Sequence, residues 1–449
     1  MTASYSHSMD DDSSLLNEAL AYDHWFIGFS GGLDSTALLM ICVTFLARQN
    51  KAVPTLTAIH INHQVNPASN DWQAHCEAIC LQLGVELLIK SITVERNGSG
   101  FEADARVGRY KAFNELMLRK DSQSKILLLG HHADDQAETL LLRLMRGTGL
   151  RGAAGIPKSR ELGDSGVQLL RPLLAHPQVR LQQYVNEQGL IYLDDPSNKD
   201  QRFDRNFVRH SVLPMLLTRW PKAKELLTRF ADHLRADIEL LDDLAKVDLS
   251  YVGLSQHGYG ESVSLEACGS LPLRRRSNLL RYWFSTHHLS MPSTALMIEV
   301  DRMLMTKSVD PRVDISYFQL CVYRDRLFLA NRAQLNQLQQ CLQEKHHWQL
   351  TEPLDSDALS RLTAVRCSGE RLLKHGKYWV SNRKHISKVC YRGVNRSLKN
   401  VFQEHGVPVW LRDSYPIVYS SNKIAAIPGL LVADDFITVD GYQLVWSWT

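Results

Sequence analysis

Apolar residues in the first two hundred positions fall in short runs separated by longer amphipathic stretches. Trp25-Phe26-Ile27-Gly28-Phe29 has the length of a strand, and a helix-like run follows from Thr36 to about Arg48. Leu56–Asn62 predicts a second strand, Asp71–Leu83 a helix, and Val85–Ile92 a third strand. Glu102–Lys120 predicts another helix, and Ile126–Gly130 a strand that leads straight into His131. This alternation predicts an α/β fold, a parallel sheet with helices on both faces. In such sheets ligands sit beyond the carboxyl ends of the strands.

The pattern changes near residue 215. Trp220-Pro221 opens a long amphipathic helix with Leu227, Phe230, Leu234, Ile238 and Leu241 at helical spacing, a packing stripe that joins domains. Leu273–Phe284 and Ser293–Met305 predict helices, and Arg324-Asp325 the tip of a hairpin. At 449 residues the chain exceeds one ordinary core. The predicted regions are an α/β domain over residues 20–215, a helical linker with a middle domain over 216–340, and a basic C-terminal domain over 360–446. The last two are smaller α+β units.

With 44% hydrophobic and 22% charged residues the composition is that of a globular protein. No apolar stretch approaches a membrane span, and the polar, acidic start is unlike a signal peptide. Eight cysteines without a CxxC pair predict a reduced, cytoplasmic protein. Cys76 and Cys80, beside His75 on a predicted helix, are expected to be packing thiols. The net charge of +3 neither demands nor excludes nucleic acid.

Candidate chemistry begins at Ser30-Gly31-Gly32-Leu33-Asp34-Ser35, between the first strand and the first helix. A helix start offers unpaired N–H groups and partial positive charge, a cradle for phosphate. Two glycines allow close backbone approach, and Ser30, Ser35 and Thr36 add hydroxyls. Asp34 would repel phosphate unless Mg²⁺ bridged the two. The Lys-containing P-loop pattern is absent. Gly147-Thr148-Gly149-Leu150-Arg151-Gly152 matches G-x-G-x-x-G but follows a helical run, so it reads as a helix stop and turn.

A second cluster is His131-His132-Ala133-Asp134-Asp135-Gln136-Ala137-Glu138-Thr139. Asp134 or Asp135 shares a helix face with Glu138. Acids at a helix start also serve as caps. Two histidines and three acids exceed what a cap needs and suit Mg²⁺ and proton transfer near phosphates.

Further on, Arg274, Arg275 and Arg276 form a basic triplet. From Arg366 to Asn400 there are ten Lys or Arg and one acid, Glu370, with Tyr378, Trp379 and Tyr391 interleaved. So one-sided a run predicts phosphate contacts. Arg274, Arg275, Arg383, Lys384, Arg392, Arg396 and Lys399 are the candidate RNA-binding residues.

The Ser-Gly-Gly-x-Asp-Ser loop resembles that of the N-type ATP pyrophosphatases (PP-loop ATPases), and within them the chain is similar to the tRNA(Ile)-lysidine synthetase family. The matching segments include His60-Ile61-Asn62-His63, Glu102-Ala103 through Arg106, Arg109 and Tyr110, His131–Thr139, and Arg171-Pro172-Leu173. Asp195-Pro196-Ser197-Asn198, Arg205-Asn206, Arg209, Leu273–Trp283, Arg396-Ser397-Leu398-Lys399 and Trp410-Leu411-Arg412-Asp413 continue them. Gln64-Val65-Asn66 departs from a Gly-Leu-Arg-like continuation. The resemblance implies a Rossmann-like PP-loop domain that uses ATP and Mg²⁺. It implies two steps: ATP adenylates the wobble cytidine of the CAU-anticodon isoleucine tRNA, and free L-lysine displaces AMP. No membrane is involved, and a homodimer is left open.

On this resemblance Ser30, Gly31, Gly32, Leu33, Asp34 and Ser35 are expected to bind ATP. Asp34 with Asp134 or Asp135 would hold Mg²⁺. His131, His132, Asp135 and Glu138 would serve proton transfer or orient the amine, and Arg205 would neutralise phosphate or RNA charge. Three other functions fit less well. A tRNA thiolase of the same superfamily needs catalytic cysteines or an iron–sulfur site, a glutamine-dependent amidotransferase needs a glutaminase module, and a non-catalytic paralogue is expected to lose Asp34 or the acidic cluster.

Overall fold

The computed structural model describes residues 13–448, apart from 51–52, 63–68, 94–100, 164–165, 196–197, 199, 259, 288, 290, 306–311, 357–359 and 384–387. His63, Gln64-Val65-Asn66, Pro196, Ser197 and Lys384 therefore lie outside the described residues. The chain divides into two units, one ending at Glu239 and the other starting at Leu240.

In the first unit α1 (Ser13–Ala19) precedes β1 (His24–Gly28), α2 (Leu33–Ala47), β2 (Thr55–Asn62), α3 (Ser69–Leu83) and β3 (Glu86–Ser91). Then come α4 (Phe101–Leu118), β4 (Lys125–Leu128), α5 (Ala133–Met145), α6 (Leu150–Ala153), β5 (Ser159–Glu161), β6 (Gln168–Leu170) and α7 (Gln178–Glu187). The strand order is β3-β2-β1-β4-β6-β5, parallel except for the edge strand β5. Period-two alternation sends Trp25 and Ile27 into one core with Leu38, Leu39 and Leu181, and Phe26 into another with Ile59, Phe113 and Leu127. Both faces are thus covered, and each fully buried large side chain stabilises the fold by about 1.5–3 kcal/mol. Strand order reverses between β1 and β4, and their carboxyl ends lead into Ser30 and His131. That is the switch point where α/β sheets hold ligands.

Three short elements follow: α8 (Asp204–Phe207), a five-residue π-helical turn over Val208–Val212, and α9 (Leu213–Arg219). The long α10 (Ala223–Tyr251) follows with Pro221 just before it. Of the predicted stripe, Leu234 is buried and Leu227 and Ile238 pack beside it, whereas Phe230 is exposed. The turn at Gly147 has φ of +70° and ends α5, so the G-x-G-x-x-G stretch is a helix stop followed by the single turn α6.

The second unit opens with a five-stranded antiparallel sheet built from β7 (Ser255–His257), β8 (Gly260–Ser264), β9 (Arg312–Ile315), β10 (Phe318–Tyr323) and β11 (Arg326–Asn331). Its helices α11 (Leu265–Ser270), α12 (Leu273–Thr286) and α13 (Thr294–Met305) bury Leu279, Leu280, Trp283 and Phe284 against Leu320, Leu327 and Leu329. The β10–β11 hairpin turns at Arg324, whose φ is +52°. After α14 (Arg332–Cys341) the remainder is mainly small antiparallel sheets. Among them is a hairpin that pairs Lys388–Tyr391 with Val394–Ser397. No helix among the described residues is long and apolar enough to cross a membrane. All eight cysteines carry free thiols. Burial pushes those of Cys76 and Cys80 up to about 12, so they are inert packing groups.

One backbone contact fixes the geometry at the switch point. A Cβ on Gly130 would lie 2.8 Å from the carbonyl oxygen of Asp34 and 3.0 Å from its carbonyl carbon. Neither atom can rotate away. Gly130→Ala is therefore expected to destabilise the protein by about 1–3 kcal/mol, as overpacking does. Urea unfolding with an unchanged midpoint would contradict this close approach.

Candidate active site

The loop after β1 is held by its own hydrogen bonds. Gly31 takes φ of +78°, a conformation that favours glycine, and its carbonyl accepts from Leu193 N at 3.0 Å. Gly32 caps α2, and its carbonyl accepts from Thr36 N at 3.0 Å, Thr36 Oγ1 at 2.9 Å and Ser35 Oγ at 3.1 Å. Ser30 N donates to Ser35 Oγ at 3.2 Å. Because Gly32 is the cap, the helix begins at Leu33 and not at Thr36, and Asp34 and Ser35 belong to its first turn. An acid there is favoured by the helix dipole.

Facing this loop, α5 starts directly after His132. Asp135 Oδ2 accepts from His132 N at 3.0 Å, while Arg205 Nη2 donates to Asp135 Oδ1 at 2.5 Å. Arg205 Nε donates to Glu138 Oε2 at 2.8 Å, and Arg209 Nε to Glu138 Oε1 at 2.5 Å. Glu138 is 1% exposed, so two carboxylates one turn apart are buried against two guanidiniums one turn apart. The second arginine lies in the π-helical turn, a distortion often found at functional sites. Asp134 points elsewhere: it pairs with Lys224, and its Oδ1 accepts from Gln178 N at 3.4 Å. Gln178 Nε2 also donates to Asp34 Oδ1 at 3.1 Å, which ties the loop to α7.

His132 sits between the two acid groups. Its Nε2 is 3.5 Å from Asp34 Oδ2 and 3.6 Å from Asp135 Oδ2, ion-pair rather than hydrogen-bond distances. Burial lowers its pKa, but Asp34 and then Asp135 raise it further, and the net shift is upward. Burial alone would raise the Asp135 carboxyl; the charges of His132 and Arg205 outweigh it and hold the group at about 2. His131 behaves oppositely. Desolvation, reinforced by the charges of Arg171, Arg106 and Arg205, outweighs the pull of Asp135 and lowers the imidazole to about 3. Its Nδ1 is buried without a partner.

A PP-loop domain model matches residues 6–216, a TilS substrate-binding domain 264–328, and a TilS substrate C-terminal domain 380–448. The tRNA(Ile)-lysidine synthase of Legionella pneumophila (strain Paris) is 33% identical over 94% of this chain and 94% of its own length. The enzymes of the same name from Pseudomonas fluorescens (strain Pf0-1) and Pseudomonas putida are 34% and 36% identical over 98% and 91% of this chain, and over 97% and 94% of their own. The chain belongs to the tRNA(Ile)-lysidine synthase family. It is accordingly a C–N bond-forming ligase with an ATP-binding PP-loop domain, and the parallel sheet followed by helical and antiparallel regions is that family's architecture.

Against that family the expected roles divide. Ser30 to Ser35, Asp34, His131, His132, Asp134, Asp135 and Glu138 all converge at the switch point. Glu138 has both oxygens taken by guanidiniums. Arg205 places its charge on Asp135 and Glu138. Asp135 is likewise saturated. In the second unit Arg275 pairs with the buried Asp248, and Arg276, 5% exposed, pairs with Asp301. Arg366, Arg371, Arg383 and Arg396 pair with Asp440, Asp434, Asp413 and Glu404. Arg383, Arg396 and Arg275 are therefore not open cations, whereas Arg274, Arg392 and Lys399 make no ion pair among the described residues. Lys399 and Arg383 line a cavity of about 470 Å³ with Gln339, Asn382 and Asp413.

Sequence reasoning missed Arg209, Gln178 and Lys224 as parts of the site. Arg209 stands four residues after Arg205, a same-face signal that was available. Gln178 and Lys224 carry no local signal.

The two histidines give a test by titration. His132, with its raised value, adds stability that is complete below pH 6.5 and is lost as pH rises through its folded value. His131 adds stability that is complete above pH 6.5 and is lost as pH falls towards about 3. Imidazole NMR titration is expected to show one ring charging only near pH 3 and its neighbour discharging above 6.5. Two rings both titrating near 6.5 would contradict the site. Glu138→Gln leaves Asp135 as the one carboxylate facing Arg205 and Arg209 among the described residues and is expected to cost on the order of 2–3 kcal/mol, at or below the low end for buried pairs because both arginines are partly exposed. Denaturant melts would read it.

Proposed function

We propose that this chain binds ATP at Ser30–Ser35 and adenylates the wobble cytidine of a CAU-anticodon isoleucine tRNA. It then joins the ε-amine of free lysine to C2 of that base, releasing AMP and pyrophosphate. The observation that carries this reading is the meeting of the loop with the acidic start of α5, bridged by His132 between Asp34 and Asp135. Family membership supplies the reaction class.

Mg²⁺ fits the site through Asp34. No group of three His, Cys, Asp or Glu forms a metal cage among the described residues, but Mg²⁺ commonly takes one or two carboxylates and completes its shell with water and phosphate. Asp34 is one-third exposed at the loop, whereas Asp135 is saturated and Asp134 is tied to Lys224. Asp34 would therefore hold the ion, with Asp134 the next candidate. When bound, Mg²⁺ supplies charge neutralisation on the departing pyrophosphate.

The lysine amine must be neutral to attack. With an ordinary ammonium pKa of about 10.4, roughly 1 in 2,500 is neutral at pH 7, a cost of about 4.6 kcal/mol. A base held at about 3 cannot take that proton cheaply. His131 instead offers an unprotonated, unpartnered Nδ1 that can accept from the neutral amine and orient it. The cations beside His131 disfavour the ammonium form and offset part of the 4.6 kcal/mol. His132, whose hold on a proton the two acids strengthen, keeps Asp34 and Asp135 in register across the gap.

Incubation with ATP, labelled lysine and the CAU-anticodon isoleucine tRNA tests the reading. AMP and lysine-bearing tRNA are expected in equal amounts, and release of ADP would end it. Asp34→Ala is expected to lower the adenylation rate at least 10²-fold, the scale on which removing one electrostatic partner of the transition state slows a reaction. Its tRNA affinity should stay within about twofold.

A further inference from the structure

Beside the acidic cluster, guanidiniums gather around one phenol. Tyr110 lies at the middle of α4, the helix that follows β3 in the chain. Arg106 Nη2 donates to the Tyr110 hydroxyl at 3.2 Å, and its Cζ stands 5.3 Å from the ring centroid. Arg160, on the edge strand β5, places its Cζ 4.9 Å from the same centroid. Arg171, directly after β6, is 1% exposed. Its Nη1 donates to the Pro157 carbonyl at 2.7 Å, while its Nε has no partner. Arg143 stands close by, with Nη1 donating to the carbonyls of Gly152 and Gly155 at 2.7 Å. Among the described residues Arg106, Arg160 and Arg171 have no carboxylate partner. Like charges held this close repel, and one of them is buried with an unsatisfied donor. An anion would relieve both costs.

We propose that Arg106, Arg160 and Arg171, layered around Tyr110, hold a backbone phosphate of the tRNA next to the base undergoing reaction. This rests on the lysidine-synthase reading. Three observations favour RNA over a small anion. Arg106 and Arg160 are exposed, so the cluster is open at its rim to a long ligand, with Arg171 fixed beneath. It flanks His131, whose charge state it influences, on the β4–β6–β5 side of the sheet and away from the loop between β1 and α2. Guanidiniums stacked on an aromatic ring match RNA, where phosphate takes bidentate donors and bases stack.

The test uses the full chain carrying Arg106→Gln and Arg160→Gln together. Its tRNA affinity is expected to fall about tenfold at moderate salt. The slope of log K against log salt should shrink by about 0.7–0.9 for each phosphate that is no longer neutralised. The KM for ATP should stay within twofold, and Arg160→Lys should keep the slope. A methylphosphonate placed singly on either side of the wobble cytidine should, at one position, weaken wild-type binding while costing the double variant nothing more. Unchanged tRNA affinity and slope would overturn the proposal. So would a raised KM for lysine or ATP with intact tRNA binding, which would assign the cluster to a carboxylate or to pyrophosphate. A wild-type protein that bound tRNA with this signature yet made no lysidine would overturn the proposed reaction and leave the phosphate site standing.

Discussion

Asp135 and Glu138 are buried at the start of α5, and the site depends on the two guanidiniums that make that burial tolerable. An isolated buried carboxylate costs several kcal/mol even after relaxation, and Arg205 and Arg209 offset that cost here. The arginines arrive from about seventy residues downstream, on α8 and the π-helical turn. Folding of the acidic helix start is therefore coupled to closure of residues 204–212 over it. With those charges matched, Asp34, Asp134 and His131 remain as the groups of the site that no guanidinium takes up. Asp134 is in turn held by Lys224, which narrows the field to Asp34 and His131.

Neighbouring histidines with opposite charge preferences follow from the same arrangement. His132 points between two carboxylates, and their attraction exceeds the cost of burial. One residue earlier, His131 faces Arg171, Arg106 and Arg205, and their repulsion adds to burial. A single peptide unit thus separates an imidazole biased towards its charged form from one biased towards its neutral form. This division suits a reaction that must hold anionic phosphate on one side and a neutral amine on the other.

Much of this was legible in the sequence. Alternating apolar runs located the central strands to within a residue or two, because a strand buried on both faces has no polar position to blur it. The loop Ser30–Ser35 and the cluster His131–Glu138 were both visible because each is contiguous. The helix start at Leu33 was misjudged because Gly32, which carries no side-chain cap, supplies the cap through its backbone. Contacts were not legible where they depend on distant partners. Glu138 reads as an acid–base candidate until two guanidiniums fill its oxygens, and nothing near Gln178 or Lys224 in the chain announces their contact with Asp34 and Asp134.

Charge shows the same limit in both directions. The basic run from Arg366 to Asn400 looks unbalanced in one dimension, yet Asp413, Asp434, Asp440 and Glu404 fold onto four of its arginines. Its capacity for phosphate is thereby reduced to groups such as Arg392 and Lys399. Arg106, Arg160 and Arg171 lie fifty-four and eleven residues apart and form no run, yet they converge on one ring with no acid to meet them. Coulomb energy depends on distance in space and on local dielectric, not on spacing along the chain. A residual positive field is therefore better sought beside His131 than in the segment where lysines and arginines are most numerous.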